Sequence, residues 1–293
     1  MLVENSEIWF IANFFSGTLS FEKKEAITAI IEKLPNSKIF KTEYPNHACE
    51  IAQLAIDQKV KIVVAIGGDG TINEVASVLK GTNIALGIVP IGSGNGLARH
   101  LKIPLNSLTA IDRVLNGTIT EIDTCTINEI PFFCTAGIGF DAQVAYDFSL
   151  QNRRGFSTYI ITAIKVFIAY KSIDFKIFTA NKSFNNTAFA ITFANASQYG
   201  NDAIVAPESK IDDGLIDMVI LKPFSVFNSI FLAIRLFNNS FSKSKFVKTI
   251  KGKVFNIITE NKSCIIHFDG EPKLLNTNEI IVKIDDKKLK VIV

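Results

Sequence analysis

The sequence predicts two domains: an open, mostly parallel α/β sheet over residues 1–126 and an all-β sandwich over 127–293. Three observations carry this. From Ile8 to about Thr126 apolar runs alternate with helical patterns, the rhythm of strand–helix–strand units. Beyond Ile127 the rhythm changes to short β-branched runs separated by turn residues. At 293 residues, with 48% hydrophobic and 20% charged, the chain is long enough for two cores and too apolar to stay disordered.

Taken in order, "IWFIA" reads as a strand, and "FEKKEAITAIIEKL" sets Phe21, Ala26, Ile27, Ile30, Ile31 and Leu34 on one helical face. A strand over "KIFKT", a helix over "HACEIAQLAI" and a strand over "KIVVAI" follow. After "GGDG" a helix is expected from Ile72, its start marked by Thr71 with Glu74 three residues on, the pattern of a capping box. The strand "IALGIV" and a helix over "LTAIDRVL", stopped at Asn116-Gly117, complete a Rossmann-like half. In the second half "FAITFANA", "IDMVIL", "KVFNIIT", "CIIHF", "EIIVKI" and "KLKVIV" read as sandwich strands, with helical inserts over 157–170 and 226–237.

A formal charge of +3 does not point to a nucleic-acid binder. Cys49, Cys125, Cys134 and Cys264 lie far apart without a C-x-x-C pair, so neither a zinc ribbon nor a disulfide framework is indicated, and buried thiols in a reducing compartment are expected. The start "MLVENSEIWF" lacks the basic-then-apolar order of a signal peptide, so a cytoplasmic location is expected. The two most apolar stretches, "FSTYIITAIKVFIAY" and "FSVFNSIFLAIRLF", are short and carry Lys165 and Arg235; neither should cross a bilayer.

The chemistry concentrates in two glycine-rich turns. Gly67, Gly68 and Gly70 follow a buried-type strand and lead into a helix, whose unpaired N–H groups and positive dipole end suit a phosphate. A tight structural turn is the alternative. The P-loop pattern is missing, since the only Gly-Lys pair, Gly252-Lys253, is followed by Val254. A second cluster, "PIGSGNGLARHL", follows the next strand, and two bare turns on neighbouring strand ends make one ligand crevice in an open α/β sheet.

"GGDGTINEV", "PIGSGNGLAR", "DDGLID" and "DGE", in that order along nearly the whole chain, resemble the diacylglycerol kinase and sphingosine kinase family of lipid kinases, including its soluble bacterial members. The resemblance implies an ATP- and Mg²⁺-dependent transfer of a phosphoryl group to a lipid hydroxyl. Gly67, Gly68, Asp69, Gly70, Thr71, Ile72 and Asn73 would wrap the phosphates, with Ser93 and Asn95 on the second loop and Thr42, in "TEYPNHA", touching the nucleotide. Asn13, Ser16 and Gly17 stand in the family's Asn-Pro-x-Ser-Gly loop, where Phe14 replaces proline. Asp69 either bonds its own turn backbone or manages Mg²⁺ directly or through water. Glu271 resembles the family's general base, with Asp269 beside it. Asp213, with the carbonyls of Lys210 and Leu215, resembles a structural metal site. Asp141, in "GIGFDA", matches the aspartate that binds the head group in sphingosine kinases.

The resemblance implies a lipid that is either diacylglycerol or sphingoid- or ceramide-like; "GSGNGLA" looks closer to the sphingosine and ceramide kinase form of the second loop, since Gly96 stands where bacterial diacylglycerol kinases commonly have aspartate. A phosphotransferase of the NAD kinase type acting on a soluble substrate, and a non-catalytic lipid-binding relative, are the rival readings. Met218 to Thr259 holds no Asp or Glu but several lysines, and Phe227, Ile230, Phe231 and Ile234 recur there at helical spacing. Such a helix either packs its stripe on the sandwich or rests on an anionic membrane as a peripheral contact. Some relatives add a C-terminal helix after the point where "KLKVIV" ends this sequence, so a homodimer built on that helix stays open.

Overall fold

A computed structural model describes residues 7–15, 19–151, 155–179 and 182–293, and the chain forms two compact units, Met1–Ile122 with Asp286–Val293, and Asp123–Asp285. The first unit runs β1 (Ile8–Ala12), α1 (Phe21–Glu32), β2 (Ser37–Lys41), α2 (His47–Asp57), β3 (Ile62–Gly67), α3 (Asp69–Leu79), β4 (Ala85–Pro90), α4 (Gly96–His100), α5 (Ser107–Asn116) and β5 (Ile119–Ile122). The second contains β6 (Cys125–Ile127), β7 (Ile130–Phe132), β8 (Thr135–Gly139), α6 (Phe140–Ser149), α7 (Phe156–Ala169), β9 (Ile173–Thr179), β10 (Lys182–Ala188) and β11 (Ala190–Ala194). It continues with β12 (Ile216–Leu221), α8 (Val226–Phe237), β13 (Val247–Gly252), β14 (Val254–Thr259), β15 (Cys264–Phe268), β16 (Glu271–Leu275) and β17 (Glu279–Ile284), before β18 (Leu289–Ile292) returns to the first unit.

The first unit's sheet has the order β2-β1-β3-β4-β18-β5, and every pairing is parallel except β18 with β5. β1, β3 and β4 are buried along their whole length, which is why their sequences are unbroken apolar runs rather than alternating ones. From β1 the chain steps out to β2 and then crosses to the other side with β3, so the strand order reverses between β1 and β3, where open α/β sheets bind ligands. Beyond these strand ends the backbone stays in register: Thr42 N–H donates to Ala12 O at 2.9 Å, Asn13 N–H to Ile66 O at 2.8 Å and Ile91 N–H to Gly67 O at 2.9 Å.

Two six-stranded antiparallel sheets, β10-β9-β14-β17-β6-β7 and β13-β12-β11-β8-β15-β16, make the second unit a sandwich. Ile138, Phe193, Met218 and Ile266 of one sheet meet Ile127, Ile177, Phe255 and Val282 of the other in one buried core. The Phe193 and Phe255 rings lie 5.9 Å apart across it.

Four expectations change. The division falls at Ile122/Asp123 instead of 126/127, because Cys125–Ile127 pairs with β17 and β7 of the sandwich. "KLKVIV" is no sandwich strand; it closes the first sheet between β4 and β5. On α1 the buried residues are Ile27, Thr28 and Ile31, while Phe21 is exposed and Ala26 faces solvent, so the inward stripe is narrower than the apolar pattern. The stripe of α8 is turned outward, since Phe227, Ile230, Phe231 and Ile234 are exposed and Leu232 alone is buried; packing that stripe on the sandwich is therefore not what this helix does. Among the described residues no helix is long and apolar enough to cross a membrane, and all four cysteines are free thiols, with Cys125 and Cys134 buried.

Candidate functional site

The β3–α3 turn is tighter than its sequence suggests. Gly68 is the residue before the helix, so the N-cap position has no side chain to offer, and α3 starts at Asp69 rather than Ile72. The expected capping box does not form. Thr71 lies inside the first turn, where its Oγ1 accepts from Asn13 Nδ2 at 3.1 Å, and the Glu74 carboxylate accepts from the Asn46 N–H at 3.3 Å. The Asn13–Thr71 bond spans the place where strand order reverses. The Ile72 side chain is buried and its N–H donates to Gly68 O at 3.1 Å, so that residue supports the turn from inside.

The glycines have a steric cause within the protein. A Cβ on Gly92 would stand 2.6 Å from the Gly68 Cα and 2.9 Å from Asn95 Oδ1, so the two turns touch backbone to backbone. Asp69 then staples them. Its Oδ2 accepts the Asn95 N–H and its Oδ1 the Gly96 N–H, both at 2.8 Å, which satisfies donors at the start of α4. Asp69 thus bonds the neighbouring turn. Asn95, at φ 54°, donates from Nδ2 to Gly92 O at 2.8 Å, whereas its buried Oδ1 has no hydrogen-bond partner among the described residues. Thr42 and Asn73 are buried, Gly70 is half-buried and Ser93 is exposed beside them. Ser16 and Gly17 lie outside the described residues. A Gly92→Ala variant should lose about 1–3 kcal/mol of stability, because the methyl group must displace main chain; urea unfolding followed by Trp9 emission would read this, and an unchanged midpoint would refute the contact.

In the sandwich unit, Asp141 is the hub of a buried polar cluster. Its Oδ2 accepts from Thr192 Oγ1 at 2.9 Å and Tyr199 OH at 3.1 Å and lies 3.2 Å from His267 Nε2, while its Oδ1 accepts the Ala142 N–H at 2.9 Å. Burial first, and the Asp141 charge second, push the Tyr199 hydroxyl well above its ordinary value and the Cys264 thiol up to about 11. Tyr199 therefore stays a donor at neutral pH. Gly137 makes room for the cluster, since a Cβ there would stand 2.7 Å from Asp141 Oδ2 and 2.8 Å from His267 Nε2.

Asp269 and Glu271 separate sharply. Asp269-Gly270 is the two-residue turn between β15 and β16, with φ values of 47° and 87°, the left-handed pair that Asp-Gly hairpins favour. The buried Asp269 carboxylate accepts three main-chain N–H groups, from Phe133 at 2.9 Å, Cys134 at 2.8 Å and Thr135 at 3.1 Å. These bonds tie the hairpin turn to the main chain that leads from β7 into β8. Glu271 opens β16 across from Phe268 and is exposed.

At the acidic turn, Asp213 Oδ1 accepts the Leu215 N–H at 3.0 Å, and its Oδ2 lies 3.5 Å from Lys251 Nζ, which also sits 3.3 Å from Asp217. Burial alone would lower the Lys251 ammonium, but Asp217 and Asp213 outweigh it and hold it above its ordinary value. The fully buried Asp123 also enters, its Oδ2 accepting the Gly214 N–H at 2.7 Å. No group of three His, Cys, Asp or Glu that could hold a metal gathers among the described residues. The set anticipated here, one carboxylate with the carbonyls of Lys210 and Leu215, would be a different kind of site.

Sequence reading missed Asp123, Thr192, Tyr199 and His267. Only His267 left a signal, a lone imidazole inside the apolar strand "CIIHF" two residues before Asp269.

The family model of the diacylglycerol kinase catalytic domain matches residues 7–127, and that of the YegS C-terminal NAD kinase beta sandwich-like domain matches 134–293. A diacylglycerol kinase of Staphylococcus saprophyticus is 28% identical over 187 residues, 62% of this chain and 61% of its own length. A YegS-like relative from Chromohalobacter salexigens is 26% identical over 274 residues, 92% of this chain and 88% of its own. In three dimensions the fold matches a crystal structure of a diacylglycerol kinase from Bacillus anthracis with a TM-score of 0.74, at 18% identity, over 98% of this chain and 96% of the other. The chain belongs to the diacylglycerol kinase family, with a YegS-type β-sandwich as its C-terminal domain.

Proposed function

We propose that this protein is a kinase that transfers the γ-phosphate of ATP, with Mg²⁺, to the hydroxyl of a lipid, either a diacylglycerol or a sphingoid- or ceramide-like molecule. The observation that carries the reading is the pair of glycine turns stapled by Asp69 at the carboxyl ends of β3 and β4. A helix start with glycine at its N-cap, beside the point of strand reversal, is suited to polyphosphate. The buried, unpartnered Oδ1 of Asn95 is a hard oxygen acceptor of the kind that suits Mg²⁺ or one of its waters. Both Asp69 oxygens already serve main-chain N–H groups, which favours contact with the ion through water. Bound there with the phosphates, Mg²⁺ would neutralise charge on the transferring group.

Thr42, Asn13, Thr71 and Asn73 would frame the nucleotide, with Gly67, Gly68 and Gly70 keeping the main chain close. Glu271 would take the proton from the lipid hydroxyl, held in aim by the hairpin that Asp269 anchors. The Asp141 cluster would receive the polar part of the lipid, with Tyr199 as a fixed donor. Asp213, Lys210 and Leu215 would hold a second, structural cation once Lys251 yields its place beside Asp213.

Purified protein given Mg-ATP and a panel of diacylglycerol, monoacylglycerol, ceramide, sphingoid bases and NAD should phosphorylate one lipid class. Phosphorylation of NAD alone would select the soluble-substrate reading. Binding of ATP with no acceptor turned over would select a non-catalytic relative.

A further inference from the structure

We propose that α7 and α8 together form the surface through which this protein docks on an anionic lipid bilayer, an inference that rests on the lipid-kinase reading and names where the enzyme would meet its substrate's phase. On α8, Phe227, Ile230, Phe231 and Ile234 are 87%, 67%, 66% and 55% exposed. Their i, i+3, i+4, i+7 spacing makes them one stripe. On α7, Thr162 and Val166 are buried while Ile161, Ile164 and Ile168 are exposed, which is the same division of faces. The two helices share an anchor. Phe167 of α7 stacks with Phe224, just before α8, at 6.0 Å, and both rings contact Phe189. Two such stripes are more apolar surface than the scattered exposure normal on soluble proteins.

The charge around them selects the occupant. No Asp or Glu occurs in residues 155–173 or 218–259, whereas Lys165, Lys171, Lys243 and Lys245 are exposed. Apolar stripes on segments whose own charged residues are all cationic describe helices that lie in a membrane interface and are drawn to anionic head groups. A second copy of the chain is disfavoured, because an isologous contact would bring these same cations onto one another. At 14 and 12 residues the helices are about 21 and 18 Å long, too short for a hydrocarbon core of about 30 Å, so they lie on the bilayer and do not enter it end-on.

The test is cosedimentation of the full chain with vesicles of phosphatidylcholine, with and without phosphatidylglycerol, beside a kinase assay on a short-chain acceptor dispersed in water. The wild type should bind the anionic vesicles and release from them as salt rises. Phe227→Ser with Phe231→Ser, and separately Ile164→Ser with Ile168→Ser, should each lower binding about tenfold or more. Both variants should keep the wild-type circular dichroism spectrum and their activity on the dispersed acceptor. Wild type left unbound by anionic vesicles while the dispersed acceptor is phosphorylated overturns this inference alone. Variants that bind as well as wild type, or a wild-type dimer that these variants dissolve, overturn it too. Vesicle binding with no acceptor phosphorylated leaves the docking surface standing and removes the kinase reading.

Discussion

Asp269→Ala is expected to lower the stability of the sandwich unit by about 3–5 kcal/mol. The carboxylate is buried and accepts the N–H groups of Phe133, Cys134 and Thr135, which lead from β7 into β8. Alanine would leave three buried donors unpaired, each worth on the order of 1–3 kcal/mol and not fully additive. It would also put a residue without local side-chain hydrogen bonding at φ 47°, a conformation costing roughly 1–2 kcal/mol. Asparagine tolerates that φ and keeps one acceptor oxygen, so Asp269→Asn should fall between wild type and alanine. Urea titration followed by far-UV circular dichroism would order the three proteins. A midpoint for Asp269→Ala within error of wild type would mean that the three bonds carry no net stability and that the carboxylate is free for another task.

Where local sequence decides structure, the strands appeared with little error: "IDMVIL", "CIIHF" and "EIIVKI" coincide with β12, β15 and β17. What depends on contacts distant in sequence did not appear. "KLKVIV" has the pattern of a sandwich strand, and only its register against Ala85 and Leu86 of β4 assigns it to the first sheet. The start of α3 was placed three residues late because Gly-Asp-Gly reads as a turn, whereas Asp69 becomes helical once its carboxylate is tied to Asn95 and Gly96. α6 went unnoticed, since ten residues of mixed polarity carry little periodic signal and the helix lies against β15 and β16.

The site was legible as a set of positions and less so as a set of roles. Gly68 and Gly92 were read as bare backbone for a ligand, and they are also where two turns touch. Asp141 stands out in "GIGFDA", but Thr192, Tyr199 and His267 come from three other elements and only the fold gathers them around one oxygen. α8 was correctly seen as amphipathic. Which way its stripe faces depends on Leu232 being the side chain that finds the interior, and no pattern within the helix could decide that.

Glu271→Gln should be the reverse of Asp269→Ala: on the lipid acceptor that the panel identifies, kcat falls about 10²–10⁴-fold while stability stays within about 0.5 kcal/mol. The side chain is exposed at the start of β16, so exchanging an oxygen for an amide alters neither packing nor a buried bond. What it removes is the capacity to accept a proton. If Glu271 is the base, KM for ATP should change little, because in the proposed arrangement the glycine turns after β3 and β4 would hold the nucleotide, and the loss should sit in the chemical step. Asp269→Asn would then be the informative partner. A loss of kcat that tracks its loss of stability, and is relieved at lower temperature, belongs to a hairpin that aims Glu271. A loss as deep as that of Glu271→Gln in a fully folded protein would instead return Asp269 to the reaction, and full turnover in Glu271→Gln would require a different base altogether.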